Sequence, residues 1–150
     1  LNRFKDIQKV VLWPNIDAGS DDVSKGIRHF REQNLEAPIY YHKNFSPEDY
    51  ARVLNNAACC VGNSSSFIRE GAFLGVPTVL VGDRQRGREH GPNIVFADYN
   101  ADQIESCLEH QLSVGRYPHS PLFGGGNAGG RIAEKLAEID LTKIEKSPLP

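Results

Sequence analysis

The chain has 150 residues, 39% of them hydrophobic, and a formal net charge of −2, which suits one globular domain with its own core. The near-neutral balance excludes a general attraction to nucleic acid, and no apolar run approaches the roughly 20 residues of a membrane span. No signal-peptide pattern opens the sequence. It contains no methionine and starts at Leu1, so the expectation is a piece of a longer protein. The cysteines Cys59, Cys60 and Cys107 are odd in number and two are adjacent. They form neither a bridging pattern nor a spaced zinc pair. Buried free thiols in a reducing cytoplasm are expected.

Apolar runs alternate with helical patterns. "KVVLWPN" (Lys9–Asn15) reads as a buried strand ending in a Pro-Asn turn. Asp22–Gln33 reads as a helix, with Asp and Ser before it as caps and Ile27 and Phe30 on its inner face. "APIYYHKNF" (Ala37–Phe45) is a second strand, rich in aromatic and β-branched residues. "SPEDYARVLNNA" (Ser46–Ala57) is a helix with Ser46 as N-cap, Pro47 at its first position and acids in its first turn. "ACCVGN" (Ala58–Asn63) is short and almost wholly apolar, and is expected at the centre of a sheet.

The next helix starts in the serine run and stops at Gly75, with Pro77 just beyond. "PTVLVG" (Pro77–Gly82) and "NIVFADY" (Asn93–Tyr99) are a fourth and a fifth strand. A helix follows over Ala101–Leu112, then a Gly/Pro-rich loop over Tyr117–Gly130 and a last helix over Arg131–Ile139. The final residues, 140–150, read as a loose tail. Strands alternating with helices predict an α/β fold, a doubly wound, Rossmann-like parallel sheet in a single domain over 1–150. Ligands in such sheets bind at the carboxyl ends of the strands. The polar loops "PNIDAGSDD", "GNSSS" and "GDRQRGRE" fall there.

The serine turn has a clear chemistry. A helix N-terminus presents free N–H groups and partial positive charge, which suits a phosphate. Gly62 permits a tight turn, Asn63 can pin it, and Ser64 and Ser65 can donate to phosphate oxygens. A plain N-cap needs only one of these serines. Glu70 shares a helix face with Ser66 and lies about 9 Å along the axis from Ser64. A carboxylate at that reach can accept both hydroxyls of a ribose, or simply pair with a neighbouring arginine. Arg84, Arg86 and Arg88 supply forks that match phosphate oxygens, or ordinary surface ion pairs. No P-loop is present, and no G-x-G-x-x-G follows the first strand. "GGGNAGG" (Gly124–Gly130) follows no strand and reads as a mobile loop. The five histidines show no metal-ligand spacing. His42 and His90 lie near site loops, where surface or capping roles account for them.

"PNIDAGSDD", the run Phe45–Glu89 and "LFGGGNAGGRI" together resemble the UDP-N-acetylglucosamine 2-epimerase family, from about Leu12 to Arg131. The serine turn Asn63-Ser64-Ser65-Ser66 fits the hydrolysing branch, which makes N-acetylmannosamine and UDP for sialic acid synthesis. The other branch usually reads Asp-Ser-Gly-Gly there. The resemblance implies the C-terminal, UDP-holding half of a two-domain GT-B fold. By motif, Asn63, Ser64 and Ser65 would bind the diphosphate and Glu70 the ribose hydroxyls. Arg84 would reach the UDP, with Arg88 as a phosphate contact or as a support behind the contacting residues. Phe45 would give backbone contacts to uracil. Asn15 would line the sugar-phosphate side, with Asp17 and Ser20 as weaker candidates.

The family reaction removes the proton at sugar C2 and expels UDP, giving a glycal to which the hydrolysing branch adds water. The resemblance puts the acid and base groups on an N-terminal domain that this chain lacks. The histidine that relatives carry just before this domain's first strand is also missing. No catalytic residue, cofactor or metal is therefore expected here. The expected partners are UDP or UDP-N-acetylglucosamine and the missing domain, in a homo-oligomeric parent, with no nucleic acid and no membrane. The alternatives are the donor-binding half of a GT-B glycosyltransferase and a non-catalytic nucleotide-sugar module.

Overall fold

The computed structural model describes residues 3–15 and 19–140. The tail over 141–150 lies outside them, as does Asp17. The chain forms two compact units, Leu1–Arg52 and Val53–Pro150.

In the first unit, β1 (Lys9–Leu12) pairs in parallel with β2 (Ile39–His42), Lys9 opposite Ile39 and Leu12 opposite His42. Helix α1 (Ser20–Gln33) makes the crossover that a parallel pair requires. It begins two residues earlier than the sequence suggested. Its N-cap is Gly19, at φ 82° and without a side-chain cap, so the expected Asp or Ser cap is not used. Asp21 and Asp22 sit instead in the first turn, where a carboxylate faces the positive helix end. Ile27 and Phe30 are half-buried. The Arg28 guanidinium lies 6.0 Å from the Trp13 ring and Arg31 5.6 Å from Tyr41. Strand β1 is less buried than expected: it alternates half-buried and exposed positions, with Val10 and Leu12 outward.

Helix α2 (Pro47–Asn56) follows its sequence signals closely. The Asp49 N–H donates to Ser46 Oγ at 3.1 Å, and the Ser46 hydroxyl donates to the Asp49 carboxylate at 3.0 Å. Ser46 is thus the N-cap and Pro47 the first helical residue.

The second unit holds a parallel sheet in the order β3-β4-β5, made of Cys60–Gly62, Thr78–Val81 and Ile94–Ala97. Its centre is β4, whose Thr78, Val79 and Leu80 are at most 1% exposed. Strand β3 is an edge of this sheet, not its centre, and Val61 is outward. Apolar composition set the expectation for β3; flanking on both sides, which decides burial, is given to β4. Helix α3 (Ser66–Leu74) links β3 to β4. It packs Ile68 with Leu80 and Ile94 in the core, flanked by Phe67 and Phe96. It ends at Gly75, whose φ of 66° is costly for any residue with a side chain. A Cβ there would also overlap the Tyr117 carbonyl.

Helix α4 (Ala101–Val114) is capped by Asn100, whose side chain accepts from the Gln103 N–H at 2.9 Å. Helix α5 (Ala128–Glu138) starts three residues before the expected position, so Gly129 and Gly130 belong to its first turn and not to a loop. The α/β class and the parallel pairing agree with the sequence reading.

Candidate functional site

Three loops leave the carboxyl ends of β3, β4 and β5, and side chains tie them together. The first is the serine turn. Gly62 ends β3 at φ 150°, with the Phe67 ring 3.3 Å from where a Cβ would stand. The exposed residues Asn63, Ser64 and Ser65 follow, and the chain then enters α3.

The serines divide the work. Ser64 Oγ accepts from the Ser66 N–H at 3.3 Å and pairs with the Ser66 hydroxyl at 2.8 Å. Ser65 stands at the N-cap with helical backbone angles and makes no capping hydrogen bond. One serine therefore satisfies the turn, and the next presents an exposed hydroxyl at the positive end of α3. Glu70 is exposed one turn further along the same helix.

The second loop, Gly82–Glu89, carries the arginines. Arg86 is committed within the protein: Nε lies 2.6 Å from Asp83 and Nη2 2.6 Å from Asp98, and its guanidinium lies 5.4 Å from the Phe96 ring. It ties the loop after β4 to the loop after β5. Arg84 and Arg88 are exposed. Ser65 and Arg88 line one surface depression of about 250 Å³, together with Ile68, Arg69, Glu89 and Phe123. Two guanidinium groups beside a helix N-terminus, partly offset by the Glu89 carboxylate, make an environment that favours an anion.

Gln85 is the member of this loop that the sequence reading passed over. It is 3% exposed although its neighbours are charged and exposed. Its Nε2 donates to the Asn63 carbonyl at 2.9 Å, so the arginine loop holds the serine turn directly. Arg69 and Phe123 were also missed. Arg69 lies four residues after Ser65 and so shares its helix face. Phe123 sits in the quoted "LFGGG", with no spacing that ties it to the serines.

The remaining candidates belong to the first unit. Asn15 is exposed just beyond β1. Phe45 is half-buried after β2; its ring stacks at 4.6 Å on His42 and its N–H donates to the Asn44 side chain at 2.9 Å. Ser20 opens α1. Among the described residues no cluster of histidine, cysteine, aspartate or glutamate could hold a metal, and no helix is long and apolar enough to cross a membrane. His90 has a local role, with Nδ1 3.0 Å from the Gly91 carbonyl and its ring against Phe96. All three cysteines are free thiols, half-buried where full burial was expected. Burial pushes Cys59 and Cys60 from the ordinary 9.0 up to about 12, as expected for inert thiols.

Parallel strands joined by helices, with a polar turn running into a helix at the carboxyl edge, define a Rossmann-like α/β protein. Residues 1–137 match the family model described as UDP-N-acetylglucosamine 2-epimerase, and the chain belongs to that family. It is 28% identical over 130 residues to the UDP-N-acetylglucosamine 2-epimerase of Neisseria meningitidis serogroup B, covering 87% of this chain and 33% of that protein. It is 28% identical over 137 residues to the UDP-N,N'-diacetylbacillosamine 2-epimerase (hydrolyzing) of Legionella pneumophila, covering 91% and 35%. The Polysialic acid biosynthesis protein P7 of Escherichia coli is 31% identical over 119 residues, covering 76% and 30%. The chain thus spans about a third of the length of these relatives.

Proposed function

We propose that this chain is the UDP-binding half of a hydrolysing UDP-N-acetylglucosamine 2-epimerase, the C-terminal domain of a GT-B enzyme. The diphosphate sits on the N-terminus of α3, bound by Asn63, Ser64 and Ser65, with Arg84 and Arg88 over its oxygens. Glu70 accepts the ribose hydroxyls. Phe45 gives uracil its backbone contacts, and Asn15 lines the sugar-phosphate side. The observation that carries this reading is the turn itself: one serine accepts a hydrogen bond within it, the next is exposed at the positive end of α3, and a carboxylate is exposed on the same helix.

The chemistry divides between two parts of a longer protein. A base takes the proton from sugar C2 as the C1–oxygen bond to UDP breaks, leaving a C1–C2 double bond. Water then returns a hydroxyl to C1 and a proton to C2. The groups that move those protons belong to a domain outside this chain. The serine turn contributes by holding the negative charge that develops on the leaving UDP. The same reading puts the longer protein in the cytoplasm, with its thiols reduced, as a homo-oligomer.

Product analysis tests this. The longer protein is expected to convert UDP-N-acetylglucosamine into free N-acetylmannosamine and UDP, and this chain alone to release no UDP. A glycosylated acceptor as product, or turnover by the chain alone, contradicts the proposal.

A further inference from the structure

Gln85 is out of place by ordinary rules. It lies between two arginines in a charged surface loop, yet its side chain is buried. One end of its amide donates to the Asn63 carbonyl, 22 residues away in sequence. The other end, Oε1, is buried with no hydrogen-bond partner. An orphaned buried carbonyl costs about as much as one neutral hydrogen bond returns. Stability alone therefore does not account for a glutamine here. A methionine of the same length would fill the space without the orphan.

What the bond does supply is direction. The Asn63–Ser64 peptide is trans, so its carbonyl and the Ser64 N–H point to opposite sides. Drawing the Asn63 carbonyl toward Gln85 turns the Ser64 N–H the other way. It also keeps a carbonyl oxygen from facing the anion that the turn is built to meet. The same bond fixes the distance between the serine turn and the loop of Arg84 and Arg88.

We infer that Gln85 is a positioning residue for the diphosphate: it clamps the Asn63–Ser64 peptide so that the turn presents donors and withdraws its acceptor. This inference rests on the reading of the serine turn as a nucleotide-diphosphate site. Gln85 touches no ligand; it acts through Asn63.

The test uses Gln85→Met and Gln85→Glu in the full chain, with UDP and ADP titrated by calorimetry and thermal unfolding followed in parallel. Gln85→Met is expected to weaken UDP and ADP together by about tenfold, because the clamp acts on the diphosphate they share, while Tm stays level or rises. Gln85→Glu is expected to lose affinity at pH 8 and recover part of it at pH 5, relative to the wild type at each pH. Burial favours the protonated carboxyl, which can donate to the Asn63 carbonyl again. UDP binding by Gln85→Met within twofold of the wild type overturns the inference. So does a large fall in Tm, which would make the bond a support of the fold. So does a variant-to-wild-type ratio for Gln85→Glu that is flat with pH. If the wild-type chain itself binds no UDP while remaining folded, the nucleotide reading fails first, and the positioning role with it.

Discussion

Gln111→Met removes the most heavily used buried side chain at the amino edge of the β3-β4-β5 sheet. Gln111 is 0% exposed. From α4 it donates to the Thr78 carbonyl at 2.9 Å and the Asn93 carbonyl at 2.8 Å, and it accepts from the Tyr117 hydroxyl at 2.7 Å. It therefore joins α4 to the starts of β4 and β5 and to the chain beyond α4. Methionine keeps the length and loses all three bonds. At a net ~1 kcal/mol per bond the loss is about 3 kcal/mol, and more if the stranded carbonyls find no water. For a chain of this size that lowers Tm by about 10 °C. Thermal and denaturant unfolding measure it, with an unchanged m-value as the sign that stability alone has moved. UDP affinity of the folded variant is expected to match the wild type, since Gln111 is at the edge opposite the serine turn. A Tm within about 3 °C of the wild type would refute the reasoning. Gln111 and Gln85 are thus expected to give opposite patterns: stability lost with binding kept, and binding lost with stability kept.

Other consequences are as direct. Arg86→Ala is expected to leave UDP affinity within about twofold, because its guanidinium is spent on Asp83, Asp98 and Phe96. Arg88→Ala is expected to weaken UDP about tenfold, as loss of a charge-assisted phosphate contact should; calorimetry separates the two, and equal losses would contradict the assignment. Cys59 and Cys60 keep their protons in the folded chain to higher pH than in the unfolded one, with folded values of about 12 against 9.0. The stability linked to them is whole below pH 9 and is lost as pH rises toward 12. Denaturant unfolding between pH 8 and 11 checks this, with Cys59→Ala/Cys60→Ala expected to flatten the alkaline loss. An unaltered pH profile in that variant would be the contrary result.

The elements that were easiest to read from sequence are those with local signals. Ser46 and Pro47 mark the start of α2 because a hydroxyl acceptor and a missing N–H both suit a helix N-terminus, and the geometry follows them. Gly75 marks the end of α3 because its left-handed conformation suits glycine. The rank of β3 in its sheet was misread, since apolar composition does not say which strand has neighbours on both sides. The start of α1 was misread as well: Gly19 takes the N-cap with no side chain to announce it.

The serine turn was legible as a turn because its residue types and its place before a helix signal one. The internal engagement of Arg86 was not, because sequence shows only its charge. The pairing of Arg86 with Asp98 spans 12 residues and depends on how two loops meet. Gln85 was invisible for the same reason, its partner lying across the sheet edge.

The proposed function stands or falls with the serine turn and Glu70 as a uridine-diphosphate site. Calorimetric titration of the chain with UDP, UMP and ADP, beside Glu70→Ala and Ser64→Ala/Ser65→Ala, tests it most directly. The account predicts that UDP binds more tightly than ADP and that both variants weaken UDP by about tenfold or more. UDP binding that is indifferent to both substitutions would contradict it.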